Sequence, residues 1–260
     1  MPTQKNDKTT SNSILNGVVV ILLFDFQIQH RSWAWLKLIQ GTNNFYKTLP
    51  GLLFAKVMGS GEDGGFGLRP SSTHQGLIFV FDSLNNAQDC LLCAEIRLYR
   101  EKARECWEGL MLVDSCRGSW SSQSWSSDGV LDPITHSAYQ GPVASLTRGS
   151  IRAAKAVSFW RYAPPAQIDL EKAPGCELAI GLGEAPLLRQ CTFSLWRDTK
   201  SLIDYAHQGA HQKAIAAAKK HSFFTESMFV RMQVLQMQGD WKGRAFSSSS
   251  NMIKQLVQNV

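Results

Sequence analysis

An internal repeat constrains the fold of this chain more than any other feature of its sequence. A Pro-Gly turn at Pro50 precedes a short apolar run, and the same arrangement recurs at Pro174, an offset of 124 residues. Each half also ends on a Gly-x-Trp sequence, beginning at Gly118 and at Gly239, an offset of 121 residues. A turn that leads into a short apolar run predicts the start of a strand. The two halves are therefore expected to share one topology.

Each half predicts the order strand, helix, strand, strand, helix, strand. The elements are expected at about 17–25, 32–47, 51–58, 76–82, 85–105 and 107–115, and again at about 142–150, 153–161, 176–183, 190–197, 198–221 and 227–236. Polar residues at 82–83 and 198–199 are expected to cap the second helix of each half. This order is that of the ferredoxin-like βαββαβ unit. Two such units with facing sheets predict an α+β fold resembling a dimeric α/β barrel.

The remaining segments are predicted to connect or flank the two repeats. The expected division is a flexible N-terminus over 1–15, a first repeat over 16–121, a linker over 122–140, a second repeat over 141–243 and a flexible tail over 244–260. The linker is rich in Ser, Asp and Gly, as connecting segments are. Within the tail, Met252–Val257 fits a short amphipathic helix that touches a membrane surface, although an ordinary frayed terminus is favoured.

Charge and hydropathy restrict the class of partner. The longest apolar run, Val18–Phe24, is far shorter than the roughly 20 residues that span a bilayer. The polar N-terminus lacks the features of a secretory signal, so a cytoplasmic protein is expected, with contact to the cytoplasmic face of the membrane left open. The net charge is +6, but the basic residues form no single stripe, which argues against nucleic acid. An anionic lipid surface and an acidic electron carrier fit this charge equally well.

Two short motifs admit a functional and a structural interpretation. Cys90 and Cys93 have the spacing of half a zinc site, but no second pair follows. The six cysteines are therefore interpreted as small buried hydrophobic residues. The run Gly181–Gly183 follows a predicted strand but lacks the later glycine of a dinucleotide fingerprint. It is interpreted as a place where two backbones pack closely.

Several further motifs, in a fixed order and spacing, make the chain resemble the spheroidene monooxygenase family from about Val18 to Trp241. They are Lys56–Gly61, Gly65-Phe66, Gly141–Arg148, Ile151-Arg152, Phe159-Trp160, Ile180–Pro186, Gln190, Thr192–Trp196, His211, Ala214-Ile215, Phe229 and Arg231.

The resemblance implies a monooxygenase of carotenoid biosynthesis. It implies hydroxylation and then ketolation of C-2 in acyclic carotenoids such as spheroidene, with O2, a haem cofactor and reduced ferredoxin as electron donor. Side chains alone do not activate oxygen, and the sequence carries no flavin or nicotinamide fingerprint, so haem is the most economical redox centre. A cofactor-free monooxygenase of the same fold fits less well, because acyclic carotenoids form poor carbanions. A non-catalytic haem- or carotenoid-binding barrel protein is the other alternative.

The resemblance also implies an iron ligand in the second repeat, which is therefore expected to bind the haem. His211 matches the family pattern and is predicted to be the axial ligand, donated from the last helix of that repeat. The alternative is a partly exposed helical histidine. His207 lies four residues earlier and would share the helix face, but no third ligand for a metal site is evident.

The strand over 190–196 supplies the candidate catalytic residues. Thr192, Ser194 and Trp196 alternate with apolar residues and so share one side of the strand. A polar inner face with a tryptophan would suit an oxygen-binding pocket, whereas a solvent-facing side with one exposed tryptophan is the structural alternative.

Basic residues near these motifs are candidates for the haem propionates. Arg148, Arg152 and Arg231 each carry a guanidinium that pairs well with carboxylates. A structural ion pair is the alternative for each of them. Lys56 and Glu184 lie at strand ends in different repeats, where a salt bridge that joins the repeats is as plausible as a catalytic role.

Overall fold

The computed structural model describes residues 13–43, 45–65, 67, 69–130, 139–161, 169–185, 188–207 and 209–249. The strands are β1 (Ser13–Asn16), β2 (Val18–Phe26), β3 (Leu52–Gly61), β4 (Pro70–Phe81), β5 (Ala103–Gly118), β6 (Gln123–Ser126), β7 (Val143–Ile151), β8 (Cys176–Ala185), β9 (Arg189–Trp196), β10 (Phe224–Trp241) and β11 (Arg244–Ser249). The helices are α1 (Arg31–Gln40), α2 (Leu84–Leu92), α3 (Ala94–Lys102), α4 (Ala156–Phe159), α5 (Thr199–Ala206) and α6 (Gly209–His221).

Eight antiparallel strands close into a barrel. Their order is β10-β5-β2-β4-β3-β8-β9-β7, and β7 pairs back onto β10. The first four-stranded half, β5-β2-β4-β3, and the second, β10-β7-β9-β8, have the same internal order of fourth, first, third and second strand. This is the order of the ferredoxin-like unit, so the predicted pair of βαββαβ repeats in an α+β barrel is confirmed.

The repeats meet around an approximate twofold axis that the sequence offsets already define. Where β3 pairs with β8, Gly59 lies opposite Gly183, its partner at the offset of 124. Where β5 pairs with β10, Gly118 lies opposite Met228 and Trp107 lies opposite Gly239. Gly239 lies 121 residues after Gly118, and Met228 lies 121 residues after Trp107, so this junction, like the first, is formed by equivalent positions.

Each Gly-x-Trp end depends on a glycine with positive φ and places its tryptophan in the barrel interior. Gly118 has a φ of +82° and Gly239 a φ of +109°, a region that residues with a side chain rarely adopt. A Cβ on Gly118 would collide with the carbonyl oxygen of Ser227, and a Cβ on Gly239 with that of Cys106. The tryptophans two positions later, at 120 and 241, are both buried in the interior.

The interior of the barrel is a packed apolar core. Strand β2 is buried at every position because Val19, Ile21 and Leu23 point inward while the alternate residues point towards the helices. Trp107 packs on Phe193 across the interior, with 5.2 Å between ring centroids. Because side chains fill this space, any large ligand must bind outside the barrel.

The two long helices predicted for the repeats are each broken. The helix expected over 85–105 is α2 followed by α3, since Cys93 between them is extended, with φ −66° and ψ 155°. The helix expected over 198–221 is α5 followed by α6, and Gly209 begins α6 with a φ of +62°. The predicted capping regions are confirmed: the Ser83 hydroxyl accepts from the Asn86 amide and the Asp198 carboxylate from the Ser201 amide.

The boundaries of the predicted flexible ends and linker need correction. Strand β1, within the predicted N-terminal segment, pairs with β6, within the predicted linker. Strand β11, in the predicted tail, pairs with β10 through a turn in which Lys242 and Gly243 both have positive φ. The Glu105 carboxylate accepts the two amides of this turn at 2.8 and 2.7 Å. Such a paired hairpin is part of the sheet, while Met252–Val257 lies outside the described residues.

Candidate functional site

The outer face of the second sheet, on the side of α5 and α6, carries small and polar residues. In one row across the strands, Arg231 on β10 lies opposite Ser145 on β7, which lies opposite Ser194 on β9. In the next row, Phe229, Thr147 and Thr192 follow in the same order. This set is called the second outer face below. It brings together four predicted site residues: Thr192, Ser194, Trp196 and Arg231.

The polar residues of β9 face the helical side and not the barrel interior. Cys191, Phe193 and Leu195 belong to the interior core, so the expected polar inner face is wrong. The alternative of an exposed tryptophan is also wrong, because Trp196 is fully buried. Both outcomes follow from barrel closure, which turns one side of every strand inward.

A hydrogen-bond network fixes the inner part of the second outer face. The Ser145 and Ser194 hydroxyls lie 2.9 Å apart, and the Trp196 indole N–H donates to the Ser194 oxygen at 2.9 Å. Helix α5 covers this network through Leu202 and Tyr205, whose ring centroid is 5.2 Å from that of Trp196. The network is therefore a rigid floor rather than an open pocket.

The outer part of the same face is accessible. Thr147 is exposed and Thr192 is half-buried, although both sit in the middle of paired strands. The face ends at an aromatic cluster in which Phe159 lies 5.9 Å from Phe223 and 5.7 Å from Phe224, between ring centroids. The threonine row between the network and this cluster is thus the open part of the second sheet.

Sequence reasoning missed Ser145 and Thr147. Their signal was present, since Val143, Ser145 and Thr147 alternate with the interior residues Ala144 and Leu146. Only the register shows that this alternation stands beside that of β9.

The three candidate propionate arginines lie in different environments. Arg148 points into one end of the barrel, where it pairs with Glu226 at 2.5 Å and with Glu184 at 3.4 Å. Arg231 lies on the second outer face but pairs with Asp114 at 2.5 Å.

Arg152 lies just past the end of β7 and is exposed. Its Nε donates to the Ser222 carbonyl at 3.1 Å, and it has no carboxylate partner among the described residues. Of the three, Arg152 is the arginine whose charge remains available to a ligand carboxylate.

Of the two roles considered for Lys56 and Glu184, the structure shows the salt bridge between the repeats. The Lys56 ammonium lies 2.9 Å from the Glu184 carboxylate. The Trp120 indole N–H donates to the same carboxylate at 2.8 Å, and the Arg148 guanidinium lies 5.5 Å from the ring centre of that tryptophan. This end of the barrel is therefore held by a mixed ionic and aromatic cluster.

The two histidines of interest do not share a helix. His207 terminates α5, whereas His211 lies in the first turn of α6, so the expectation of a common helix face is wrong. The side chain of His211 lies outside the described part of the structure. The backbone of residue 211 belongs to α6, and its role as iron ligand stays a prediction.

Cys93 differs from the buried cysteine that the sequence suggested. It is half-buried and occupies the N-cap position of α3, while Cys90 is buried in α2. A hydrogen bond with the Cys90 thiol and the backbone amides of Ile96 and Glu95 lower the pKa of Cys93 to about 6, against the effect of burial. Hydrogen bonding to Cys93 and burial raise the pKa of Cys90.

The fold defines the class of this protein: a single-chain α/β barrel of two ferredoxin-like repeats, whose second outer face is polar and, at Thr147 and Thr192, accessible. The chain belongs to the spheroidene monooxygenase family. It is 44% identical over 230 residues to the spheroidene monooxygenase of Rubrivivax gelatinosus, covering 88% of this chain and 86% of that protein. It is 30% identical over 198 residues to that of Rhodobacter capsulatus, covering 75% and 80% of the two chains. No family model matches the sequence.

Solved structures resemble this chain only loosely. A protein from Fusobacterium nucleatum aligns with a TM-score of 0.39 and 10% identity over 90% of this chain and 98% of its own. An anthrone oxidase-like protein aligns with a TM-score of 0.32 and 13% identity over the same shares of both chains. The barrel is defined by the strand pairing of this chain itself. No helix in the described ranges is long and apolar enough to cross a bilayer.

Proposed function

We propose that this protein is a haem-dependent monooxygenase that hydroxylates and then ketolates C-2 of acyclic carotenoids such as spheroidene. The oxidant is O2 and the electron donor is reduced ferredoxin. Membership of the spheroidene monooxygenase family supports the reaction and the substrate class. The observation that carries the location is the second outer face, since the barrel interior and the first sheet are filled with large apolar side chains.

The residues of the second outer face fit a flat cofactor with carboxylates. Thr147 and Thr192, the accessible part of this face, are short side chains, so a planar group lying over them meets no bulky side chain of β7 or β9 in that row. Arg152 supplies a guanidinium without a carboxylate partner among the described residues, which suits a propionate. We assign His211, on α6, as the residue that would bind the haem iron. When bound there, haem supplies the capacity to activate oxygen that side chains lack.

The chain's own residues supply position and polarity. The Ser145–Ser194–Trp196 network holds the floor of the site rigid, because each of its hydrogen bonds fixes the rotamer of a neighbour. The Thr192 hydroxyl, next along the strand and half-buried, is the group we assign to hydrogen-bond oxygen or the nascent hydroxyl of the product. Arg231 is already paired with Asp114. We therefore assign it to hold the edge of the site in place through this ion pair and not to bind a propionate.

The surface around this site suits an acidic electron carrier. The sequence has no Asp or Glu from residue 139 to residue 168, or from residue 205 to residue 225. Arg152, Lys155, Arg161, Lys213 and Lys220 are exposed within these two segments. Exposed basic residues attract acidic redox proteins and raise their association rate at low salt. This charge distribution supports ferredoxin as the donor.

The experiment compares His211→Ala with His207→Ala, a matched histidine that terminates the neighbouring helix. Each variant is purified with haem supplementation and expressed in cells that make spheroidene. We expect His211→Ala to lose most of its Soret absorbance and its ketocarotenoid product while it remains folded, and His207→Ala to keep both.

Three results would contradict parts of the proposal. Full haem content in His211→Ala would move the ligand elsewhere. Oxygenase activity in wild-type protein without a Soret band would remove haem. Haem binding without turnover, when ferredoxin and its reductase are supplied, would favour a binding protein.

A further inference from the structure

Helix α1 exposes an apolar stripe that the fold does not use. Four side chains lie along one side of α1 and the turn before it: Ile28 is 62% exposed, Trp35 37%, Leu36 52% and Ile39 76%. Positions 28, 35 and 39 recur at helical spacing, and Leu36 widens the same side. These four residues are called the α1 stripe below.

The stripe faces outward because the opposite side of α1 is anchored to the first repeat. Ala34 is fully buried, and its carbonyl accepts from the buried Gln75 amide at 2.7 Å. The Trp33 ring packs edge-on against Tyr99, with 4.8 Å between ring centroids. With the inner side fixed by these contacts, rotation of α1 to bury the stripe would expose Trp33 and break the Gln75 hydrogen bond.

The chain segment that carries the stripe has charges of one sign. From residue 26 to residue 61 the sequence contains no Asp or Glu, and α1 has no acidic residue in its first turn. Arg31 and Lys47 are exposed, and Lys37 lies on α1 itself. A second copy of the chain would present the same basic surface, so self-association through the stripe would bring like charges together. An anionic bilayer offers both an apolar layer and the opposite charge.

We propose that α1 docks this protein on an anionic lipid bilayer, with the stripe inserted among the acyl chains and the basic residues at the headgroups. Amphipathic surface helices bind membranes through these two contributions, and tryptophan is enriched at the membrane–water interface. The inference goes beyond the proposed function, because it rests on the first repeat, whereas the proposed site lies on the second. It assigns the two repeats different surfaces, one for the membrane and one for the reaction.

The test is co-sedimentation of the full chain with vesicles of phosphatidylglycerol and phosphatidylcholine, or of phosphatidylcholine alone. The double variant Leu36→Ser/Ile39→Ser removes the stripe, and Val157→Ser/Ile203→Ser is the matched control, since those residues are 75% and 43% exposed on helices of the second repeat. We expect wild-type protein and the control to bind the anionic vesicles. The stripe variant should bind at least about tenfold more weakly, since each buried aliphatic side chain contributes about that factor.

Electrostatics and self-association give independent readouts. Arg31→Gln/Lys47→Gln should weaken binding several-fold, and high salt should do the same to wild-type protein. Wild-type protein that does not bind anionic vesicles, or equal binding by the stripe and control variants, would overturn the proposal. So would a wild-type dimer, by sedimentation velocity without lipid, that the stripe variant converts to monomer. The assay contains neither carotenoid nor electron donor, so its outcome is separate from that of the haem and pigment measurements.

Discussion

The outer faces of the two sheets are built on the same strand order but differ in what covers them. The outer face of the first sheet, formed by residues such as Leu22, Phe24, Leu77 and Phe79, is fully buried under α1, α2 and α3. At the same place in the second repeat stand serine and threonine, beside a small buried apolar cluster of Val143, Leu170, Trp196 and Leu202. One copy of the repeat stabilises the barrel, while the other keeps a polar face that is free to bind a ligand.

This difference shows how a duplicated fold can assign stability to one repeat and leave a polar outer face on the other. The closed barrel satisfies every internal sheet edge, and the first repeat adds a large apolar core on its outside. The second sheet therefore need not maximise its own burial, and its outer face can carry polar residues that would weaken a smaller protein.

The largest difference between the faces is expected in stability. Phe79→Ala removes a fully buried ring from the first outer face and should lower the free energy of unfolding by about 3–5 kcal/mol. Thr192→Ala, on the second outer face, should change it by less than about 1 kcal/mol, because that side chain is only half-buried. Equilibrium urea denaturation measures both, and comparable losses would mean that the second face is as important to folding as the first.

The junction glycines should respond alike, because the repeats are equivalent there. Gly118→Ala and Gly239→Ala each place an alanine at a positive φ and bring its Cβ into collision with a backbone carbonyl. The expected loss in the free energy of unfolding is about 2–3 kcal/mol. Gly129→Ala is the control: Gly129 has a φ of +76° but no atom within 4 Å of its Cβ position, so about 1 kcal/mol is expected. Losses that differ by more than a factor of two between Gly118 and Gly239 would break the equivalence.

A smaller effect is expected from the hydrogen-bond network of the second outer face. Ser194→Ala deprives the buried Trp196 indole of its acceptor and should cost about 1–3 kcal/mol. Ser145→Ala removes one hydroxyl and leaves the Trp196 bond intact, so about 0.5–1.5 kcal/mol is expected. Thermal unfolding of both variants tests this order, and a larger loss for Ser145→Ala would show that Ser194 is not the centre of the network.

The smallest effect on stability is expected at Cys93 in the helical layer of the first repeat. The measured quantity there is the pH dependence of thiol modification. The pKa of Cys93 is lowered to about 6, so its thiolate is present above that pH and lost below it. Burial raises the pKa of Cys116, which serves as the control. Iodoacetamide should modify Cys93 at a rate that is half-maximal near pH 6, while Cys116 remains slow through pH 8, as peptide mapping would show. Cys90→Ser should alter the Cys93 profile if their hydrogen bond is its main cause.

Much of the fold was predictable because the signals are local and repeated. The Pro-Gly turns, the Gly-x-Trp ends and the capping residues Ser83 and Asp198 each act within a few residues of themselves. The helix breaks at Cys93 and Gly209 were not predicted, because neither position carries a proline or a glycine pair. Hydrophobic periodicity alone runs on through such a break.

The sequence by itself determined which residues share a side of each strand, since side chains alternate with a period of two. Thr192, Ser194 and Trp196 were grouped correctly for this reason. Only the tertiary structure decided which side faces the barrel interior, because that depends on how distant strands close the sheet. Closure directs Arg148 inward to two glutamates and Arg231 outward to the candidate site, a difference that no local pattern records.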